Sequence, residues 1–320
     1  MLYFIVNETS RSGKTRDIWK NIQSDLLKSD IPYEYRITTG KHHATKLAAE
    51  ISGKNEENVC IVVLGGDGTM NEVINGITDF DKIRFGMIPT GSGNDFGGGL
   101  DLPKTPEENL RMIIKSYKKG PDCYKKIDLG LVKWGQNKKH LFGISSGIGL
   151  DAIVCKKALT SKIKVFLNKI GLGSLTYVFL TVISLFTMKT SDFEITYDGK
   201  TKKLRKSIFA ATMNLRAEGG GVPMAPDANP YDGKLTMCNA AGIPKWITFL
   251  CLPLLVAGKH TKIKGFNIIS CKEATIHSEK KLTLHADGEY LADVNDVTFC
   301  VLPNKLKLMN YQTPDEDTTS

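Results

Sequence analysis

The sequence predicts an α/β domain followed by a mostly antiparallel β domain. From residue 2 to about residue 126, short β-rich apolar runs alternate with helical stretches, a rhythm that implies parallel strands. From residue 127 onward, strand-like runs follow one another across polar turns, which is typical of antiparallel sheets. The 320 residues are enough for two domains at roughly 150 residues each.

The predicted elements of the first domain come in the order strand, helix, strand, helix, strand, at 2–6, 17–28, 33–37, 44–51 and 59–64. We expect this domain to cover 1–126, with 304–312 as a candidate for completing it. The tail at 314–320 is acidic and has no apolar anchor, so we expect it to be disordered.

The second domain is expected to cover 127–303. Its predicted strands lie at 126–133, 141–145, 193–197, 207–213, 235–240, 267–270, 274–277, 282–285 and 297–302. Helices interrupt them at 149–188 and 244–259. The uncharged run at 170–188 approaches the length of a membrane span, but its hydroxyl residues favour a buried or interfacial helix.

Composition and charge limit the class of protein. The chain is 41% hydrophobic and 24% charged, as in ordinary globular proteins, and its net charge of +9 suits a nucleotide, a nucleic acid or an anionic membrane surface. The seven cysteines are odd in number and include no C-x-x-C pair, which indicates a reducing cytoplasm. The amino terminus lacks a basic segment and does not look like a signal peptide.

A glycine loop at 65–69 follows an apolar strand and precedes a helix that we expect to begin near Met70 or Asn71. Glycines let consecutive backbone N–H groups and the helix N-terminus face a phosphate chain. Asp67 within this loop would repel polyphosphate unless a metal ion lay between them. The alternative is a tight strand-to-helix turn without a ligand.

A second glycine loop, at 89–96, follows another apolar strand. It is not a dinucleotide fingerprint, because Phe96 stands where the third glycine would be required. The run Gly13-Lys14-Thr15 is not a P-loop, because residue 8 is Glu. The turn at 7–14, rich in glycine and hydroxyls, is nevertheless well placed for a phosphate.

Read together, the two loops resemble the diacylglycerol kinase catalytic family, and within it the soluble bacterial lipid kinases. The resemblance spans nearly the whole chain and includes 7–14, 38–39, 127–130, 232–235 and 287–289. Two positions depart from the family pattern: Glu8 replaces the more usual Pro, and Ser92 replaces the commoner Thr. The first loop is shared with NAD kinases, so the conjunction of motifs carries the resemblance.

The resemblance implies an ATP-binding α/β domain of the NAD kinase and diacylglycerol kinase type, followed by a β-sandwich that receives the lipid, with the nucleotide between them. It also implies that ATP is bound by residues of the turn at 7–14, the end of the second strand and both glycine loops: Thr9, Ser10, Arg11, Ser12, Gly13, Thr39, Gly65, Gly66, Asp67, Gly68, Thr69, Met70, Asn71 and Thr90.

The resemblance further implies that Asp67, Asp95 and Asp128 form a water-mediated network around a catalytic Mg²⁺. A separate Mg²⁺ is held in some relatives by main-chain oxygens, which would here belong to Asn229, Asp232 and Lys234. A turn before a strand explains that second motif equally well.

The motif Asp287-Gly288-Glu289 carries the candidates for the base that accepts the proton of the substrate hydroxyl. Alternation along a strand would place Asp287 and Glu289 on one face. A plain hairpin turn is the alternative, since Asp-Gly is a common one. The family places the proton acceptor in this motif, and the sequence does not show which carboxylate it is.

Five lysines precede the uncharged run without an intervening acidic residue: Lys156, Lys157, Lys162, Lys164 and Lys169. They suit anionic lipid headgroups, and a solvated face beside a core helix explains them equally well. The six histidines have no metal-ligand spacing, and His285 is a candidate for lining the cleft.

The predicted function is that of a cytoplasmic, ATP- and Mg²⁺-dependent kinase acting on diacylglycerol or a similar neutral lipid, transiently at the inner membrane surface. The alternatives are an NAD kinase and a catalytically silent protein that binds nucleotide or lipid. No nucleic-acid partner is expected, and a homodimer is left open.

Overall fold

The computed structural model describes residues 1–160 and 175–311. The chain divides into two compact units. The first consists of Met1–Asp128 and Asn304–Ser320, and the second of Leu129–Pro303. The predicted tail at 314–320 lies outside the described residues.

Parallel strands form the sheet of the first unit. They are β1 (Leu2–Val6), β2 (Tyr33–Ile37), β3 (Val59–Gly65) and β4 (Ile83–Pro89), and they lie in the order β2-β1-β3-β4. Strands β1 and β3 are buried along their whole length, which is why they are apolar without alternation. The parallel sheet that the alternating pattern predicts is confirmed.

The helices of the first unit are α1 (Lys14–Lys28), α2 (His43–Ser52), α3 (Asp67–Gly76), α4 (Asp95–Gly99) and α5 (Pro106–Lys119), with a 3-10 helix at Ser10–Gly13. In α1, Trp19, Ile22 and Leu26 recur at helical spacing and pack into the core that covers the sheet. Helix α5 begins where it does because Thr105 accepts a hydrogen bond from the Glu108 N–H and Pro106 fits the first turn.

The returning carboxyl-terminal segment is built into the first unit. Leu308 pairs with Phe85 in parallel, and the side chain of Asn310 bonds both the N–H and the carbonyl of Met87. Asn310 is fully buried, so these bonds satisfy a polar side chain inside the core. The segment therefore contributes to the packing of this unit.

The strands of the second unit are β5 (Lys125–Trp134), β6 (Lys138–Phe142), β7 (Ser145–Gly149), β8 (Ser191–Tyr197), β9 (Lys200–Met213), β10 (Leu235–Ala241), β11 (Phe266–Cys271), β12 (Glu273–Ala286) and β13 (Glu289–Leu308). They pair antiparallel in the order β11-β10-β9-β7-β12-β13, while β8 pairs with β9 and β12 and β5 pairs with β6. The predicted antiparallel β domain is confirmed.

Helices cover part of this sheet: α6 (Leu150–Thr160), α7 (Leu175–Thr187), α8 (Lys245–Val256) and a 3-10 helix at His260–Lys262. Residues such as Leu185 of α7 and Phe209 of β9 form a core between the helices and the strands. A second core lies among the strands, around Phe142, Ile195 and Phe299. Among the helices in the described residues, none is long and apolar enough to cross a membrane.

Two predicted strands, at 274–277 and 282–285, are one strand in the structure, β12. The pairing of β12 with β13 shifts between His277 and Leu282, so the polar residues between them form an irregularity inside the strand. A polar insert of this kind resembles a turn in the sequence, because only the pairing partner shows that the strand continues.

Candidate active site

The candidate nucleotide site lies where the parallel strands end. The carboxyl ends of β1 to β4 meet at one edge of the sheet, and ligands of open α/β sheets bind at this edge. Backbone hydrogen bonds join the loops that leave it: Asn7 N–H to the Leu64 carbonyl at 2.9 Å, Thr38 N–H to Val6 at 2.8 Å, and Thr90 N–H to Gly65 at 2.8 Å.

Side chains of the turn at 7–14 join this turn to both glycine loops. The Asn7 amide donates to the Thr69 hydroxyl at 2.9 Å, and the Ser10 hydroxyl donates to the Thr90 carbonyl at 3.4 Å. Thr9 donates to the Asn7 side-chain oxygen through its N–H and its hydroxyl. Three of the segments predicted to bind ATP are therefore brought together, including Arg11 and Ser12 in the 3-10 helix.

The two glycine loops touch through their backbones. A Cβ on Gly91 would lie 2.7 Å from the Gly66 Cα, and a Cβ on Gly65 would lie 2.9 Å from Thr69 side-chain atoms. Helix α3 begins at Asp67 with Gly66 as its N-cap, so the predicted start near residue 70 is wrong. An acidic residue is favourable at the positive end of a helix, which explains the earlier start. The first turn of α3 thus belongs to the loop and supplies N–H groups without intrahelical acceptors.

Thr90 carries a buried hydroxyl at the end of β4 that could bind a nucleotide oxygen. The residue is 2% exposed, and its Oγ1 has no hydrogen-bond partner in the part of the chain that the structure describes. Buried hydroxyls are nearly always paired, so an oxygen of a bound nucleotide is a natural partner. This observation is consistent with ATP binding at the strand ends.

Two other residues predicted to bind ATP have different surroundings. Thr39 is exposed, and its N–H and hydroxyl lie 2.9 and 3.0 Å from Nδ1 of His43. Met70 is fully buried, and its N–H donates to the Gly66 carbonyl inside α3. Met70 therefore anchors the loop in the core, and its part in ATP binding stays a prediction. Asn71 is also buried, at 3% exposure.

The structure brings two of the three predicted metal carboxylates together. Asp67 accepts hydrogen bonds from the N–H groups of Asp95 at 3.1 Å and Phe96 at 3.2 Å, which caps α4. A Cβ on Gly93 would lie 3.4 Å from Oδ2 of Asp67 and 3.5 Å from Oδ2 of Asp95, so the two carboxylates flank this glycine. Carboxylate oxygens are ligands that suit Mg²⁺.

Asp128 has another setting. It is 1% exposed, and its Oδ1 accepts a hydrogen bond of 2.7 Å from the Asn304 N–H, where the chain returns to the first unit. Within residues 1–160 and 175–311, no group of three or more His, Cys, Asp or Glu side chains is placed to hold a metal directly. Any metal at Asp67 and Asp95 would therefore depend on water and on the nucleotide for its remaining ligands.

The loop before β10 contains the residues of the predicted second metal site. The Asn229 side-chain oxygen accepts from the Tyr231 N–H at 3.2 Å, and that of Asp232 accepts from the Lys234 N–H at 3.0 Å. These are two successive turns closed by side chains. The side-chain oxygens thus close the turns of the loop. Binding of a second Mg²⁺ by the main-chain oxygens of this loop stays a prediction.

Asp287 and Gly288 form the turn between β12 and β13. Their φ angles are 44° and 82°, and Ala286 pairs with Glu289, as in a two-residue hairpin of type I′. The prediction that Asp287 and Glu289 share a strand face is therefore wrong, because Asp287 does not lie in a strand. Its carboxylate accepts hydrogen bonds from the N–H groups of Gly143, Ile144 and Ser145 at 2.8 to 3.0 Å.

A buried ion pair lies next to this hairpin. His285 is 1% exposed, and its Nε2 lies 3.0 Å from Oδ2 of Asp151. Burial opposes protonation, but the hydrogen bond to Asp151 and the charges of Asp151, Glu218 and Asp287 outweigh it and raise the pKa of His285. A Cβ on Gly147 would lie 2.1 Å from the Asp151 carboxylate, so this pair requires glycine there.

The surrounding region is rich in carboxylates. Burial first, and then the charges of Glu218, Asp151 and Glu289, raise the pKa of the Cys155 thiol. Glu218 also accepts a hydrogen bond from the Ser145 hydroxyl. Sequence reasoning missed Asp151 and Glu218, because no motif marks them. The available signal was His285, two residues before the predicted base.

The lysines predicted to meet lipid headgroups are only partly within the described residues. Lys156 lies 2.8 Å from the Asp293 carboxylate and 4.3 Å from the ring centroid of Tyr290. Lys157 donates to the Thr187 hydroxyl at 3.4 Å. Lys162, Lys164 and Lys169 lie outside the described residues.

Comparison with known proteins decides the family. Residues 1–125 match the family model of the diacylglycerol kinase catalytic domain, and residues 144–310 match that of the YegS C-terminal NAD kinase beta sandwich-like domain. A Bacillus subtilis (strain 168) protein provisionally named lipid kinase YtlR is 32% identical over 292 residues, which cover 90% of this chain and 93% of that protein. The chain belongs to the diacylglycerol kinase catalytic family.

Other relatives agree with this assignment. The diacylglycerol kinase of B. subtilis (strain 168) is 27% identical over 86% of each chain. A solved Bacillus anthracis str. Sterne structure, provisionally described as a diacylglycerol kinase, matches with a TM-score of 0.74 at 22% identity over 98% of both chains. An NAD kinase from Archaeoglobus fulgidus in complex with ATP matches with a TM-score of 0.56 at 12% identity, over 98% of this chain and 94% of that one. The structural matches confirm the predicted fold class, and family membership makes the chain a kinase.

Proposed function

We propose that the protein transfers the γ-phosphate of ATP to the hydroxyl of diacylglycerol or a similar neutral lipid, giving a phosphatidic acid-type product and ADP. The observation that carries the proposal is the contact between the glycine loops at Gly66 and Gly91, beside the buried hydroxyl of Thr90, which has no hydrogen-bond partner among the described residues. The lipid acceptor is supported by relatives that are named lipid kinase and diacylglycerol kinase.

In this proposal the phosphates of ATP are held by backbone N–H groups and hydroxyls of residues 9–13 and 65–69, with the hydroxyl of Thr90. The positive N-terminus of α3 stabilises the phosphate charge without the lysine that P-loop enzymes use. Mg²⁺, when bound, neutralises charge on the transferring phosphate. Asp67 and Asp95 would hold it through waters, whereas the part of Asp128 in this network remains a prediction, as do the main-chain oxygens of Asn229, Asp232 and Lys234.

Glu289 is the better of the two candidate bases. The carboxylate of Asp287 accepts three backbone N–H groups, so both of its oxygens are engaged within the protein. Glu289 begins β13 and is partly exposed, so a substrate hydroxyl can reach it. In the proposed mechanism, the lipid hydroxyl transfers its proton to Glu289 as its oxygen attacks the γ-phosphorus, while Asp287 holds the turn in place.

We further propose that the protein works in the cytoplasm at the inner face of the membrane, where such an acceptor resides. The test is an assay of the full-length protein with radiolabelled ATP and Mg²⁺ against diacylglycerol, ceramide, sphingosine, phosphatidylglycerol and NAD. Labelled phosphatidic acid is the expected product, and its formation should stop when EDTA removes Mg²⁺. Labelling of NAD alone would identify an NAD kinase. Binding of ATP without labelling of any acceptor would identify a catalytically silent protein.

A further inference from the structure

Helix α8 presents its apolar side chains to the outside. The residues of α8 that face the interior include Thr248 and Cys251, which are 3% and 6% exposed, and the partly buried Ile247 and Leu255, which pack against the core. Trp246 and Leu250 are both 61% exposed, and Val256 is 62% exposed. An ordinary surface helix buries its apolar face and exposes its polar one. Helix α8 carries large apolar side chains on its outer face as well, which indicates that something apolar covers this face when the protein works.

Helix α7 extends this apolar surface. Phe186 is 51% exposed, and its ring centroid lies 5.9 Å from that of Phe249 in α8. The ammonium group of Lys245, at the start of α8, donates to the carbonyls of Phe186 and Met188 and so joins the two helices. We call this surface the α7–α8 face; its exposed residues are Phe179, Phe186, Trp246, Phe249, Leu250, Leu254 and Val256.

The concentration of apolar residues on this face is unusual for the molecule. Of the 12 large hydrophobic residues that are exposed within the described parts of the chain, seven belong to the α7–α8 face. Scattered exposed hydrophobic residues need no explanation, but a contiguous group marks a site of interaction.

The charges around the face indicate what covers it. Residues 233–272 include no Asp or Glu but contain six lysines. Lys259, Lys262 and Lys264 follow α8 directly and are exposed, and the 3-10 helix His260–Lys262 packs against α8. Apolar and aromatic side chains beside lysines suit the interface of an anionic bilayer. A second copy of the chain fits less well, because it would bring like charges together.

We propose that the α7–α8 face is the surface through which the protein lies on an anionic lipid bilayer. Its apolar side chains enter the boundary between headgroups and acyl chains, and Lys259, Lys262 and Lys264 contact the headgroups. The inference rests on the proposed lipid kinase function, since the acceptor of such an enzyme lies in the bilayer.

The test measures binding of the full-length protein to vesicles of phosphatidylglycerol and of phosphatidylcholine by co-sedimentation. The test variant is Trp246→Ser/Leu250→Ser, and the matched control is Leu27→Ser in α1, where the leucine is 72% exposed. We expect the double variant to bind phosphatidylglycerol vesicles about ten-fold more weakly or worse, since two apolar side chains that would enter the bilayer are lost. The control should bind like the unmodified protein, and salt should weaken all binding.

Two results would overturn the inference. One is unchanged vesicle binding by the double variant. The other is a combination of results: the unmodified protein is dimeric by light scattering and does not bind vesicles, and the double variant is monomeric. A second copy of the chain, and not a bilayer, would then cover the face. Melting temperatures of both variants should stay unchanged, since the replaced side chains are exposed.

A kinase assay separates this inference from the proposed function. With a short-chain, water-soluble diacylglycerol, the double variant should retain its kcat, whereas it should lose most of its activity on long-chain diacylglycerol in phosphatidylglycerol vesicles. If the unmodified protein phosphorylates neither lipid, the proposed function fails, and vesicle binding still decides the docking surface. If it phosphorylates both and the double variant does so equally, the docking surface is wrong.

Discussion

Asp287 and Ser145 exchange two hydrogen bonds in the second unit. The N–H of Asp287 donates to the carbonyl of Ser145 at 2.8 Å, and Oδ1 of Asp287 accepts from the N–H of Ser145 at 3.0 Å. Asp287 thereby fastens the β12–β13 turn to the start of β7. Glu289 lies just beyond this turn at the start of β13 and is partly exposed, whereas Asp287 is buried, so we expect the two carboxylates of one motif to have different tasks.

Replacement of each carboxylate by its amide should separate these tasks. We expect Glu289→Gln to lower kcat by about 10²–10⁴-fold with little change in the melting temperature, the usual scale for removal of a general base. Asp287→Asn should lower the free energy of unfolding by roughly 2–4 kcal/mol, since charge-assisted hydrogen bonds are lost and an amide N–H faces a backbone donor. Steady-state kinetics and urea unfolding measure the two effects. Full kcat in Glu289→Gln would show that the base lies elsewhere.

Thr90→Val should weaken ATP binding without destabilising the fold. The replacement keeps the shape of the side chain and removes a buried hydroxyl that has no described protein partner. A hydrogen bond to a charged phosphate contributes about 1.5–3 kcal/mol, so KM for ATP should rise about ten-fold or more. Nucleotide titration and thermal unfolding test this. An unchanged KM together with a lower melting temperature would show that the hydroxyl is structural.

Gly91→Ala should disrupt the contact between the glycine loops. The added Cβ would lie 2.7 Å from the Gly66 Cα, so one backbone must move. We expect affinity for ATP to fall about ten-fold or more, since positioning of several phosphate donors is lost. Gly98→Ala is the matched control, because a Cβ there meets nothing within 4 Å and alanine favours a helix by up to about 1 kcal/mol. Equal ATP affinity in the two variants would contradict the loop assignment.

Asp67→Asn should alter the response to Mg²⁺. The amide retains one acceptor for the α4 cap, so a stability loss of only about 1 kcal/mol is expected. Loss of the charge should lower kcat by about 10²–10³-fold and raise the Mg²⁺ concentration required for half-maximal rate. Asp25→Asn, at an exposed carboxylate of α1, serves as the control. Normal Mg²⁺ dependence in Asp67→Asn would remove Asp67 from the metal site.

The Asp151–His285 pair should make stability depend on pH. The pKa of His285 in the folded protein is raised above its ordinary value of 6.5. Its contribution to stability is therefore complete below about pH 6.5 and decreases as the pH rises through the raised pKa. Urea unfolding across this range should show a smaller pH slope in Asp151→Asn than in the unmodified protein. Equal slopes in Asp151→Asn and in the unmodified protein would mean that His285 is not charged by Asp151.

Local patterns in the sequence were enough to predict the first unit. Strand β3 is an unbroken apolar run that ends in the glycines at 65, 66 and 68, so both the buried parallel strand and the loop after it depend on neighbouring residues. Adjacent residues determine periodicity and backbone freedom, which is why the strand and the loop could be predicted, while phosphate binding by this loop stays a prediction.

Only the tertiary structure decided the rest of the site. The three donors that bind Asp287 lie 142 to 144 residues before it, and Asp151 lies 134 residues before His285. These contacts follow from the pairing of β12 with β7, which no local pattern specifies. Likewise, the composition of α8 suggests a buried helix, and only packing shows that Thr248 and Cys251 face inward while Trp246 and Leu250 face outward. Which side of an element is covered depends on its neighbours in space, and distant parts of the chain supply them.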